Sequence, residues 1–169
     1  MLFLTLLTAA GFTAIPTGAV AVPRQDADQV FHIPYTHAYS PSGRPGLDPY
    51  CSVNFTITDV ATDTTTQCYG QRGPCAYSTP EPPPEKPLDK DHPAECDDPS
   101  FSFYVTSWQY VSNYSIVVSH AVDGGVHTGP SGPLDYETYR DSFHESCAAS
   151  GFCDAVIINA TNPIVIPFA

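Results

Sequence analysis

C-S-V-N-F-T-I-T-D-V, residues 51–60, is the stretch that decides the fold class. Val53, Phe55 and Ile57 alternate with Ser52, Asn54, Thr56 and Thr58, the period of two that a strand with one buried face produces. A polar turn (Ala61-Thr62-Asp63) follows, and T-T-T-Q-C-Y at 64–69 reads as a hairpin partner. Working outward, 30–39 alternates as well, with Phe31, Ile33 and Tyr35 on one side and His32, Pro34 and Thr36 on the other. Pro34 lacks a backbone N–H, so this strand is expected at a sheet edge or with a bulge.

Downstream, Phe101, Phe103 and Val105 alternate with polar neighbours, and Tyr114, Ile116 and Val118 do the same. The short connection between these runs suits a hairpin. Two Val/Ile-rich segments, 154–159 and 163–167, close the chain. The stretches 40–49, 70–76 and 123–133 are rich in glycine or proline and read as turns and loops. Tyr136, Tyr139 and Phe143 are spaced for a short helix within 134–149. No internal repeat is present. The expectation is a mainly β protein, one compact antiparallel β-barrel or sandwich of seven or so strands over 30–169.

Residues 78–99 break the pattern. Proline and acids dominate S-T-P-E-P-P-P-E-K-P-L-D-K-D-H-P-A-E-C-D-D-P, and apolar residues nearly vanish. Such a segment buries too little to fold by itself and reads as an exposed insertion loop.

The opening M-L-F-L-T-L-L-T-A-A-G-F-T-A is apolar but short for a bilayer, and 17–21 ends in A-x-A. Residues 1–21 are therefore read as a signal peptide, followed by a loose polar tail at 22–29 and a secreted mature protein. Six cysteines (Cys51, Cys68, Cys75, Cys96, Cys147, Cys153) contain no C-x2-C pair. In an exported chain they imply disulfides rather than zinc, with 15 connectivities open. Sequons at Asn54, Asn113 and Asn159 mark candidate glycosylation sites. The net charge of −12 and a pI near 4.5 argue against nucleic acid and anionic membranes as partners.

In their order along the chain these features resemble the small secreted fungal β-barrel family typified by the Alternaria major allergen. The likeness rests on the aromatic strand after R-Q-D, the Gly/Pro loop at 39–50, S-V-N-F-T-I-T-D, Cys68, Cys96 before F-S-F, and Cys147 and Cys153 before D-A-V-I-I. It spans 31–169. The resemblance implies a compact barrel with disulfides Cys68–Cys96 and Cys147–Cys153, which leaves Cys51 with Cys75. It also implies an allergen, elicitor or effector that binds a host or cell-wall protein or glycan. Cys51 and Cys75 are additions to the family pattern, as is the long Pro-rich insertion. No cysteine lies between Val22 and Tyr50 to form the family's dimer bond, so any homodimer is expected to be non-covalent.

No catalytic residue, cofactor or metal site is expected. There is no G-x-S-x-G or H-E-x-x-H, and the six histidines never fall in tight ligand spacing. The enzymatic alternative is a small ribonuclease using His120 with Glu137, Arg140 and His144, which the scarcity of basic residues disfavours. The other alternative is a carbohydrate-binding module in which Tyr104, Trp108 and Tyr110 stack on sugar rings.

Overall fold

A computed structural model describes residues 28–75 and 85–169 of the chain. The expected signal peptide, most of the tail and part of the insertion loop lie outside the described residues. No helix among the described residues is long and apolar enough to cross a membrane.

The strands are β1 (Val30–Ser40), β2 (Cys51–Asp59), β3 (Thr64–Arg72), β4 (Ala94–Glu95), β5 (Phe101–Tyr110) and β6 (Asn113–Val122). They continue with β7 (Gly125–Pro130), β8 (Leu134–Asp135), β9 (Phe143–Cys147), β10 (Cys153–Ile158) and β11 (Ile164–Pro167). One four-residue helix, α1 (Tyr136–Tyr139), stands between β8 and β9. The first sheet runs β3-β2-β1-β10-β9, with β11 beside the first part of β1. The second runs β4-β5-β6-β7, with β8 on β6. All pairings are antiparallel.

Val53, Phe55 and Ile57 are buried between the two sheets, as are Phe101, Phe103, Tyr114, Ile116 and Val118. The Tyr114 hydroxyl and Thr36 Oγ1 hydrogen-bond across this core at 2.7 Å. Burial pushes the Tyr114 phenol well above the ordinary tyrosine range, so it stays neutral there. The two sheets also meet at their margins. On one side Ala169 N donates to Thr128 O, and β7 packs so closely on β11 that a Cβ at Gly129 would lie 2.6 Å from Pro167 O. On the other, Asp97 N donates to Gln67 O beside the Cys68–Cys96 disulfide. The result is a sandwich stitched at both sides rather than a closed barrel. Cys51–Cys75 and Cys147–Cys153 complete three internal disulfides that pair all six cysteines.

Four local expectations need correction. Pro34 lies in a central strand, flanked by β2 on one side and β10 and β11 on the other. Of the two arrangements expected for Pro34 the bulge is the one present, between His32 and Tyr35, and it reverses the faces read from the alternation. Phe31 and Ile33 point inward before the bulge, Thr36 and Ala38 after it, and Tyr35 turns outward. In 134–149 the helix stops after one turn, capped by the Asp135 side chain, and Phe143 belongs to β9. The 123–133 segment contains β7, because Asp123-Gly124 makes a two-residue hairpin turn with Gly124 at φ 94°. Within the insertion loop, the part after residue 84 is tied down. Lys86 exchanges backbone hydrogen bonds with Gly73, and Leu88 is buried with its carbonyl accepting from Val105 N.

Candidate functional site

Extending the alternation of β2 by one step places Asp59 on the same inward face as Val53, Phe55 and Ile57. Extending that of β6 puts His120 on the face of Tyr114, Ile116 and Val118. A carboxylate and an imidazole on apolar faces must find partners, and these two find each other across the sandwich. Asp59 Oδ2 accepts from His120 Nδ1 at 2.7 Å and from His127 Nδ1 at 2.7 Å. His127 arrives because β6 and β7 pair His120 directly opposite it. A carboxylate can only accept, so both rings carry their protons on Nδ1. The second oxygen, Oδ1, accepts from Ala61 N at 2.9 Å.

The cluster is held from outside as well as within. Phe101 stacks on His120 at 3.7 Å between ring centroids, and Phe168 stacks on His127 at 4.4 Å. The Asp59 side chain is 0% exposed and that of His120 6%, whereas His127 at 27% opens the cluster to solvent. One ligand atom from each of the three residues lies within 4.8 Å of the others, so the group has the geometry to hold a metal ion.

Burial works to raise the Asp59 pKa. The hydrogen bonds from His120 and His127, the field of His127 and the Ala61 N–H outweigh it and hold the carboxyl below the ordinary carboxylate range. A depressed folded-state pKa stabilises the fold above the unfolded carboxyl value, about 3.9, and that stabilisation is lost as pH falls through the folded value. Urea midpoints measured between pH 6 and pH 2 should therefore fall more steeply at the acid end for the native chain than for Asp59→Asn. Parallel acid limbs would show that Asp59 carries no such linkage.

The outer face of the first sheet presents a different surface. Strand pairing aligns Gln67, Thr56, Tyr35 and Ile158 in one row and Tyr69, Asn54, His37 and Val156 in the next. A third row holds Gln71, Ser52, Tyr39 and Asp154. Tyr69 is well exposed, and Phe152 leans toward Tyr39 with ring centroids 6.4 Å apart. Adjoining grooves of about 380 and 310 Å³ run on either side of Tyr69. The face also holds Asn54, whose Nδ2 donates to His37 Nδ1 at 3.2 Å.

The residues singled out in the sequence fall as follows. Tyr104 is half-buried on the outer face of the second sheet, opposite Val117. Trp108 lies on the inner side, packed on Tyr114 at 5.5 Å and under the Arg72 guanidinium at 5.2 Å. Tyr110 is exposed at the strand end. Bulges between Val105 and Ser107 and between Trp108 and Tyr110 leave Tyr104 and Tyr110 opposite Val117 and Asn113 on the outer face and Trp108 opposite Tyr114 on the inner one, so the three form no common platform. Asn113 is half-buried at the start of β6, and Asn159 sits after β10 with Oδ1 accepting from Asn162 N. Glu137 and Arg140 pair with each other at 3.1 Å on exposed surface. They follow β8, which pairs with the Asn113 end of β6, about 20 Å along the strand from His120. His120, Glu137 and Arg140 are not brought together.

Comparison of the chain with protein-family models, with curated proteins and with solved structures finds no match.

Proposed function

We infer that the protein is an exported, non-catalytic binding protein of the fungal allergen, elicitor or effector type, and that its partner is a cell-wall glycan. Three disulfides in a small β-sandwich suit folding in an oxidising compartment. The observation that carries the reading is the outer face of the first sheet, where Tyr35, Tyr39 and Tyr69 alternate with Ser52, Asn54, Thr56, Gln67 and Gln71. Tyrosine rings offer apolar faces to the C–H side of a sugar while keeping a polar tip in water. The amides and hydroxyls between them both donate and accept, as sugar hydroxyls require. Any homodimer of such a protein is non-covalent, since every cysteine is already paired.

The test uses mature protein carrying Asn54→Gln, so that no host-cell glycan covers the face. Insoluble plant and fungal wall polysaccharide should deplete it from solution in a saturable way. Tyr69→Ala should weaken that capture about three- to tenfold, the worth of one aromatic contact, with no release of sugar ends and no RNA cleavage. Capture that is absent, or indifferent to both Tyr35→Ala and Tyr69→Ala, would overturn the glycan reading. Turnover of either polymer would overturn the non-catalytic one.

A further inference from the structure

We propose that Asp59, His120 and His127 form a binding site for one divalent first-row transition cation, with Zn²⁺ its simplest occupant. Two imidazole nitrogens and one carboxylate oxygen are the donor set of an open tetrahedral zinc site, whose fourth position takes water or an outside ligand. The three donors converge already: Oδ2 of Asp59 is 2.7 Å from Nδ1 of each histidine. A tetrahedral ion with bonds of about 2.0–2.1 Å separates its ligand atoms by roughly 3.3–3.4 Å. Admitting it therefore widens each oxygen–nitrogen distance by only about 0.6–0.7 Å. His127, the least buried of the three, is the side chain with room to move and the route of entry.

The surroundings are those of a prepared site. Phe101 and Phe168 fix the planes of the two imidazoles, and the Ala61 N–H orients the carboxylate through its other oxygen. The ion takes the place of the two Nδ1 protons. Each metal-bound ring then carries its remaining proton on Nε2. Because Asp59 belongs to one sheet and both histidines to the other, a bound ion ties the two layers together at this end. This site is separate from the tyrosine face and does not depend on that surface binding a glycan.

Tag-free full-length chain, stripped with a chelator, is titrated with Zn²⁺ by calorimetry and with Co²⁺ by visible absorption. The expected result is one equivalent bound, the intense bands of a four-coordinate Co²⁺, and a shift of the His120 and His127 ring-nitrogen NMR signals from the Nδ1–H to the Nε2–H tautomer. His127→Gln, at a part-exposed position and with its circular dichroism native, should weaken binding about 100-fold, one ligand's share of a structural zinc affinity. Asp59→Asn should do the same wherever its circular dichroism remains native. His92→Gln, which removes the exposed Asp89–His92 pair, should leave binding unchanged. Folded native chain that takes up no Zn²⁺ at millimolar concentration would overturn the site and leave the cluster as a hydrogen-bonded clasp. Uptake that survives His127→Gln, or disappears with His92→Gln, would overturn it equally.

Discussion

Replacing Phe55 with alanine should destabilise the fold by about 3–5 kcal/mol, read as a lowered urea midpoint with the slope little changed. Phe55 is 2% exposed at the middle of β2. Its ring meets that of Phe103 from the other sheet edge-on, 4.8 Å between centroids and 78° between planes. Truncation removes the burial of an aromatic side chain, loses this aromatic contact and leaves a void between two layers already held by disulfides and margin contacts. A sandwich clamped in that way cannot collapse fully onto the gap, which puts the expected loss at the upper end for core truncations. The neighbouring Asn54→Gln is the control. It faces outward and risks only its 3.2 Å hydrogen bond to His37, so its effect should stay below about 1 kcal/mol. Similar, small losses from both substitutions would mean that the two faces of β2 are not as described.

That the faces of β2 and β6 can be read from the chain follows from the physics of a half-buried strand, where burial and sequence share a period of two. The same rule fails for β1 because one extra residue at Pro34 flips every side chain after it, and a proline shows where a ladder is interrupted but not which way the strand resumes. It fails again at β7, where Asp123-Gly124 is one hairpin turn inside a longer run of glycines and prolines that resembles a loop. Around 134–149 the spacing of Tyr136, Tyr139 and Phe143 is helical, but pairing of β9 with β10 claims Phe143. Tertiary pairing overrides a weak local pattern there.

The Asp59–His120–His127 cluster has no signature in local sequence spacing, because Asp59 lies far along the chain from both histidines. In a sandwich the close neighbours are across strands and across layers, so ligands 61 residues apart meet at 2.7 Å. Two signals were nevertheless present. Asp59 continues the apolar series 53, 55, 57, and His120 continues 114, 116, 118. An ionisable residue in such a series is a buried group that needs a partner. Once the Asp123-Gly124 turn is recognised, His127 falls opposite His120 without further assumption. The tyrosine face was less legible, since Tyr35 reaches it only by way of the bulge.

Removing the Cys68–Cys96 disulfide by double alanine substitution should lower stability by about 3–4 kcal/mol, against about 2–3 kcal/mol for Cys147–Cys153. The half-cystines of the first bond are 28 residues apart and those of the second only 6. Cutting the longer loop therefore frees far more of the unfolded chain. The folded state adds to the difference. Cys68 and Cys96 are both buried, and their bond anchors the segment before β5 to β3, where Asp97 N donates to Gln67 O and Asp98 N to Thr66 Oγ1. Cys147 and Cys153 already stand opposite each other in the β9–β10 hairpin, so the strand pairing retains much of what their bond enforces. Urea unfolding of the two double variants separates the contributions. The Cys68→Ala/Cys96→Ala chain should also show the larger rise in m-value, because its unfolded state gains more exposed surface. If the short-loop variant proved the less stable of the two, loop closure could not be the main term. The hairpin bond would then have to act through the native packing around Cys153, which is buried where β10 meets the end of β1.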